Sequence, residues 1–283
     1  MFSVTTRLPV LATIAFTAMA LPASSASADV SAWDGDARAG VRLVSGGTKS
    51  EGSQSPLRAG VEIRLAPGWK TYWRYPGDSG VPPTFNFAKS ENLKSIRLSW
   101  PAPEKMVEAD GVIIGYRNNV LFPLAVEPSD PSKPVILRLA LDYAICEKVC
   151  IPVQAKAELT LKAGGSAEPA IAAAEKAIPR VQPVGAGAPL SVKAVYRDDS
   201  KTPARVLVDV AAPSGVPLSV FAEGPSDDWA LPVPDKVDGA PPGIQRFAFA
   251  LDGLPPGASD RGATLKVTAV AGTEAIETSF RLD

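Results

Sequence analysis

The only two cysteines of the chain lie close together in "LDYAICEKVCIP", Leu141 to Pro152, as Cys146 and Cys150. Such a pair can close a disulfide, supply part of a metal site, or exchange electrons as a dithiol. A disulfide needs Cα atoms about 4.4–6.8 Å apart. Residues four apart on an extended strand are about 13 Å apart. A bond between these two therefore requires the chain to turn at Glu147–Val149, with the cysteines facing each other across a hairpin. As a staple the bond is weak, because closing a loop of about five residues stabilises by ~2 kcal/mol against ~4.7 for a hundred. A disulfide kept for stability gains more by joining distant strands. The short loop favours a chemical role and leaves a structural bridge open.

The partners the cysteines lack narrow the chemistry. The chain has no His, so the commonest general base and the commonest metal ligand are both missing. Zinc asks for about four Cys or His ligands, and a cysteine hydrolase asks for a His partner. Copper(I) prefers Cys and Met, and Met106 is the only methionine beyond residue 28. A copper(I) site on two thiolates stays open but unindicated. Basic and acidic residues number 29 and 30, for a net charge of -1. That balance argues against a nucleic-acid partner, which calls for a basic excess.

The elements that must position the pair read as strands. Residues 1–28 form a leader: Arg7, the apolar run Leu8–Leu21, and Ala26-Ser27-Ala28 before cleavage at Asp29. This is the pattern of a cleaved secretory signal, and export puts the cysteines where disulfides persist. Apolar or alternating runs then follow: "GVRLVSG", "AGVEIRLA", "SIRLSW", "FPLAVEP" and "VILRLALDYAIC". "VQAKAELTLKA" alternates with period two directly after the cysteines, which makes the pair the turn of a β-hairpin. Pro152 marks an edge or a break in hydrogen bonding on its strand. "GGSAEPAIAAAEKAIPRVQPVGAGAP" is a composition break, read as a short helix capped by Ser166 with Pro169 in its first turn and ending at Ile178, then a linker. Six further strand-like runs follow, from "LSVKAVYRD" to "AIETSFRLD", at sandwich-like spacing. The expected organisation is a leader (1–28), a β-sandwich with the cysteine pair (29–163), a short helix and linker (164–188), and a second β-sandwich (189–283). The fold class is all-β and immunoglobulin-like.

Trp69, Tyr72, Trp73 and Tyr75 cluster in "GWKTYWRYPGD". They read as buried core and edge, with Trp73 the candidate for an exposed docking surface beside the cysteines. Asp78 reads as a turn residue. Tyr143 either packs over the cysteines or fills the strand pair.

The blocks "APGWKTYWRYPGDSGVPPTF", "WPAPEK", "IGYRNNVLFPLAV" and "LDYAICEKVCIP", in this order over about residues 38–163, resemble the periplasmic N-terminal domain of the thiol:disulfide interchange protein DsbD. The resemblance extends to the variant of that domain in ScsB-type proteins of copper-tolerance operons. It implies an immunoglobulin-like sandwich whose hairpin cysteines cycle between dithiol and disulfide, with no cofactor and no metal. Carried over, Cys150 forms the mixed disulfide and Cys146 resolves it. The implied partners are a membrane thiol-disulfide electron transporter that recharges the pair and periplasmic thioredoxin-like proteins that receive its electrons. Disulfide isomerisation, cytochrome c maturation and copper stress are compatible settings. The family's cap loop, with a shielding aromatic, falls by order at "VEADGVIIGY". Asp110, Val112, Ile113 and Tyr116 are the expected shielding residues, with no aromatic before Tyr116. The family's cysteine spacing is often longer than the one here. A non-catalytic immunoglobulin-like module with a structural disulfide is the alternative, and a copper(I)-binding stress protein is a third.

Overall fold

The computed structural model describes residues 1–2, 29–48, 56–77, 80–108, 111–161 and 167–283. The expected leader, apart from residues 1–2, lies outside the described residues, as do Asp78, Asp110 and Ser166. Among the described residues no helix is long and apolar enough to cross a membrane.

Among the described residues, eleven strands precede a helix: β1 (Asp34–Gly35), β2 (Ala39–Thr48), β3 (Leu57–Leu65), β4 (Lys70–Gly77), β5 (Thr84–Asn86), β6 (Leu93–Leu98), β7 (Glu104–Glu108), β8 (Gly111–Arg117), β9 (Asn119–Pro128), β10 (Val135–Cys146) and β11 (Cys150–Leu161). They form two sheets, one in the order β1-β2-β3-β9-β6 and one in the order β11-β10-β4-β8-β7, with β5 also paired to β10. The pairings are antiparallel, and the architecture is an immunoglobulin-like sandwich. β10 shows why the layers close. Val135, Leu137, Leu139, Leu141, Tyr143 and Ile145 alternate inward along it and are all buried. They meet Val41, Leu43, Val61, Ile63 and Phe122 of the opposite sheet. Phe85, Trp100 and Tyr116 pack edge-on around Phe122 at 5.1–5.4 Å between ring centroids.

The helix, α1 (Glu168–Lys176), begins at Ala167 without a side-chain cap and carries proline in its first turn. It stops two residues before the expected Ile178. Its buried Ile171 and the buried Arg58 of β3 fasten it to the first sandwich. The Arg58 guanidinium donates to Glu175 at 3.0 Å and to Glu168 at 3.1 Å. The segment expected as helix and linker is thus fastened along its helix.

The second unit contains β12 (Arg180–Val181), β13 (Ser191–Asp198), β14 (Arg205–Ala211), β15 (Leu218–Glu223), β16 (Asp235–Val237), β17 (Ile244–Ala250), β18 (Thr264–Ala271) and β19 (Glu274–Arg281). Its sheets run β12-β19-β18-β15 and β13-β14-β17-β16 around Val192, Val208, Phe249, Val267 and Ile276. The six expected strands are present. β12 and β16 are additional, and β12 takes part of the expected linker into the sheet as a parallel partner of β19. The two units meet intimately, since Phe221 and Val233 of the second join the core of the first.

Candidate functional site

The hairpin β10–β11 pairs residue for residue from Val135↔Leu161 to Cys146↔Cys150. This register places the cysteines opposite each other at the last rung, with Cα atoms 4.2 Å apart and a disulfide between them. The two sulfurs have unequal surroundings. Cys146 is 5 % exposed, whereas Cys150 and the loop before it lie open, with Val149 71 % exposed. β11 is an edge strand and its Cys150 end is exposed, which gives a second protein room to approach. Next to Cys150 a cavity of about 570 Å³ opens, lined by Val81, Pro82, Thr84, Ala144 and Pro152 among others.

The covering of Cys146 differs from the expected one. Cys146 sits in a small cluster with Tyr72, Met106, Ile113 and Ala144. The "cap loop" region is a hairpin, β7–β8, paired from Glu104↔Gly115 to Glu108↔Gly111. Within it Met106 and Ile113 are cross-strand partners, and both belong to the buried cluster that holds the cysteine. Of the expected shielding residues, Ile113 is therefore in place. Val112 packs against the main core instead. Tyr116 is buried in that core, with its hydroxyl donating to the Pro101 carbonyl at 2.8 Å. Successive strand residues point to opposite faces, and that alternation separates Val112 from Ile113. Asp110 lies outside the described residues.

Trp73 is likewise corrected as a docking surface. It is fully buried, 5.7 Å from the Phe221 ring of the second unit. Tyr143 is 3 % exposed and lies in the main core, while also lining the cavity beside Cys150. Burial, with Asp36 and Asp34 nearby, pushes its phenol up to about 12, so it stays neutral.

Two residues outside the expected site, Tyr72 and Met106, complete it. Tyr72 Oη lies 2.9 Å from Cys150 Sγ. A disulfide sulfur carries no proton, so the phenol donates. Burial raises the Tyr72 pKa, which keeps that proton in place. In the reduced state the same O–H would face a thiolate, a far better acceptor. Met106 supplies apolar cover with a soft, adaptable side chain. The available signals were modest: the β-prone run "KTYWRY", and the apolar pair Met106–Val107 between charges in "EKMVE".

β4 is held against β10 by the pairs Ile145↔Thr71 and Cys146↔Lys70 and by the Thr71 hydroxyl, which donates to the Ala144 carbonyl at 2.9 Å. The buried Lys70 ammonium donates to Glu108 at 2.7 Å and so ties the end of β7 to the strand beside Cys146. That hydrogen bond lowers the Glu108 pKa. Gly80 follows β4 with φ +150°, and a Cβ there would lie 2.4 Å from the Tyr72 ring. A glycine is required for this close approach. Among the described residues there is no cluster of three or more His, Cys, Asp or Glu side chains able to hold a metal.

An immunoglobulin-like sandwich with a half-buried, half-exposed cysteine pair at a hairpin end is a build suited to thiol-disulfide exchange. Residues 44–162 match the family model of the thiol:disulfide interchange protein DsbD, N-terminal, and mark this part of the chain as a domain of that type. The crystal structure of the N-terminal periplasmic domain of ScsB from Proteus mirabilis has the same fold, with a TM-score of 0.69 at 21 % identity over 90 % of this chain and 99 % of that one. That likeness includes the second unit. No curated protein matches the chain.

Proposed function

We propose that the protein works in the periplasm, passing reducing equivalents from a membrane thiol-disulfide electron transporter to thioredoxin-like partners through Cys146 and Cys150. The observation that carries this reading is the asymmetry of the pair: Cys150 is exposed and hydrogen-bonded by Tyr72, and Cys146 is buried behind Met106 and Ile113. The Cys150 thiolate attacks one sulfur of a partner disulfide, and the partner's other sulfur leaves as a thiolate. Cys146, as its thiolate, then attacks Cys150 Sγ in the mixed disulfide. The Cys146–Cys150 bond forms and the partner leaves fully reduced, having gained two electrons. A membrane dithiol reverses the sequence to recharge the pair. The periplasmic setting is supported by the ScsB domain, which is described as periplasmic.

The test uses single-cysteine variants of the whole protein. Cys146→Ser leaves an exposed Cys150 and should trap a thioredoxin-like protein as a mixed disulfide, identified by mass spectrometry. Cys150→Ser should trap far less. Failure of both variants to trap a partner, together with a reduction potential well below about -300 mV, would assign the bond a structural role.

A second reading, copper(I) bound by the reduced pair, is favoured by the buried cluster that Met106 shares with Cys146, which puts a thioether in the same apolar pocket as one of the two sulfurs. It predicts that copper(I) protects the reduced thiols from alkylation and that Met106→Leu weakens that protection.

A further inference from the structure

β4 carries Tyr72 to the cysteine pair, and side chains further along the same strand contact the second unit. Its ladder with β8 covers Lys70–Tyr72 and resumes only at Gly77, with an irregular register between. Within that interval the second unit takes hold. The buried Trp73 ring meets Phe221. The Arg74 guanidinium lies 4.3 Å over the Trp73 ring, donates from Nε to both carboxylate oxygens of Glu223 at 2.9 Å, and donates to Glu277. Lys266 approaches Glu277 at 3.4 Å, so two cations and two carboxylates balance in a largely buried quartet. Glu223 ends β15 and Glu277 lies within β19, so the guanidinium is fixed by two strands of the second unit. A planar fork held in this way defines both position and orientation.

We propose that Arg74 is a positioning residue for the cysteine pair: clamped by Glu223 and Glu277, it fixes β4 so that the Tyr72 hydroxyl stays on Cys150, and the second unit thereby tunes the redox equilibrium of the first. This rests on the reading of Cys146 and Cys150 as an exchange pair. It gives the second unit a role in the chemistry although none of its residues touches a cysteine. The logic is local. The Tyr72–Cys150 contact spans a single hydrogen bond of 2.9 Å, and drift of the strand by more than about an ångström lengthens it beyond useful range. The Thr71 clip holds β4 on one side of Tyr72 and the Arg74 clamp holds it on the other.

The test measures the equilibrium constant of the disulfide against glutathione, at a pH where Cys150 is a thiolate, in the whole protein. Tyr72→Phe should shift it roughly tenfold toward the oxidised form. Arg74→Ala should shift it in the same direction by about three- to tenfold, and Arg74→Lys by less. The double variant should match Tyr72→Phe alone, because the clamp acts only through the phenol. Glu223→Gln with Glu277→Gln leaves the first unit's sequence untouched, must shift the constant in the same direction, and decides the matter if Arg74→Ala fails to fold. A wild-type constant in the clamp variants, or a double variant equal to the product of the single effects, overturns the proposal. The constant is measurable whether or not a partner is ever trapped, so this result and that of the cysteine-trapping experiment are read separately.

Discussion

Replacing Tyr72 with phenylalanine removes one oxygen and keeps the ring that fills the space beside Met106, Ile113 and Cys146. The lost interaction is the 2.9 Å hydrogen bond to Cys150 Sγ. Against a neutral disulfide sulfur it is weak. Against a thiolate it belongs to the class worth about 1.5–3 kcal/mol. Subtracting the weaker bond of the oxidised state leaves a net loss of about 1.5 kcal/mol in the reduced state, roughly a factor of ten. For a two-electron couple this makes the potential about 30 mV more negative. The sign has a pH signature. The stabilised species is the thiolate, so the shift is fully present where the thiolate is populated and fades as pH falls and the sulfur takes up its proton. Equilibration with glutathione between pH 5 and 9, with the oxidised fraction read by alkylation and mass spectrometry, gives both magnitude and profile. A Tyr72→Phe potential equal to wild type at high pH, or a shift of the same size at every pH, would refute the reasoning.

Other parts of the site make independent predictions. Gly80→Ala forces a Cβ to within 2.4 Å of the Tyr72 ring, from a backbone conformation that disfavours side chains, and should reproduce the Tyr72→Phe potential shift at some cost in melting temperature. Met106→Ala should speed disulfide reduction by a small water-soluble phosphine several-fold, while unfolding experiments show a loss of about 2–5 kcal/mol for a buried side chain of this size. The Lys70–Glu108 pair gives acid sensitivity. The folded-state pKa of Glu108 is depressed by the lysine, so the latch is complete above the ordinary carboxylate range and is lost as pH falls through the lowered value. Phosphine reduction of the wild type should therefore accelerate below that point relative to its rate near neutrality. Glu108→Gln should reduce quickly across the range, and matching profiles for the two proteins would disprove the latch.

Much of this was legible in the sequence because it depends on local pattern. Period-two alternation in "VILRLALDYAIC" and "VQAKAELTLKA" fixes a hairpin, and a three-residue gap between the cysteines forces them to its turn. The all-β class and the six strands of the second unit follow from the same alternation and from regular turn spacing. The helix was readable from its alanines and Pro169. The cover of Cys146 was less readable. Of the residues named for shielding, only Ile113 shares the buried cluster with Cys146, and Met106 lay just outside the quoted segment.

Chain pattern alone places the two cysteines and the hairpin that carries them, since a pair four residues apart needs only a turn to meet. The tertiary structure decided what surrounds them. Tyr72 is far from Cys150 in sequence and meets it only because β4 lies beside β10. Trp73, one residue on, turns inward to the second unit, and Arg74 is captured there by Glu223 and Glu277. Such contacts depend on the order of strands in a sheet and on which faces of two units are pressed together. Neither leaves a period in the chain, so hydrophobic pattern names the strands but not the neighbours that set the reactivity of the sulfurs.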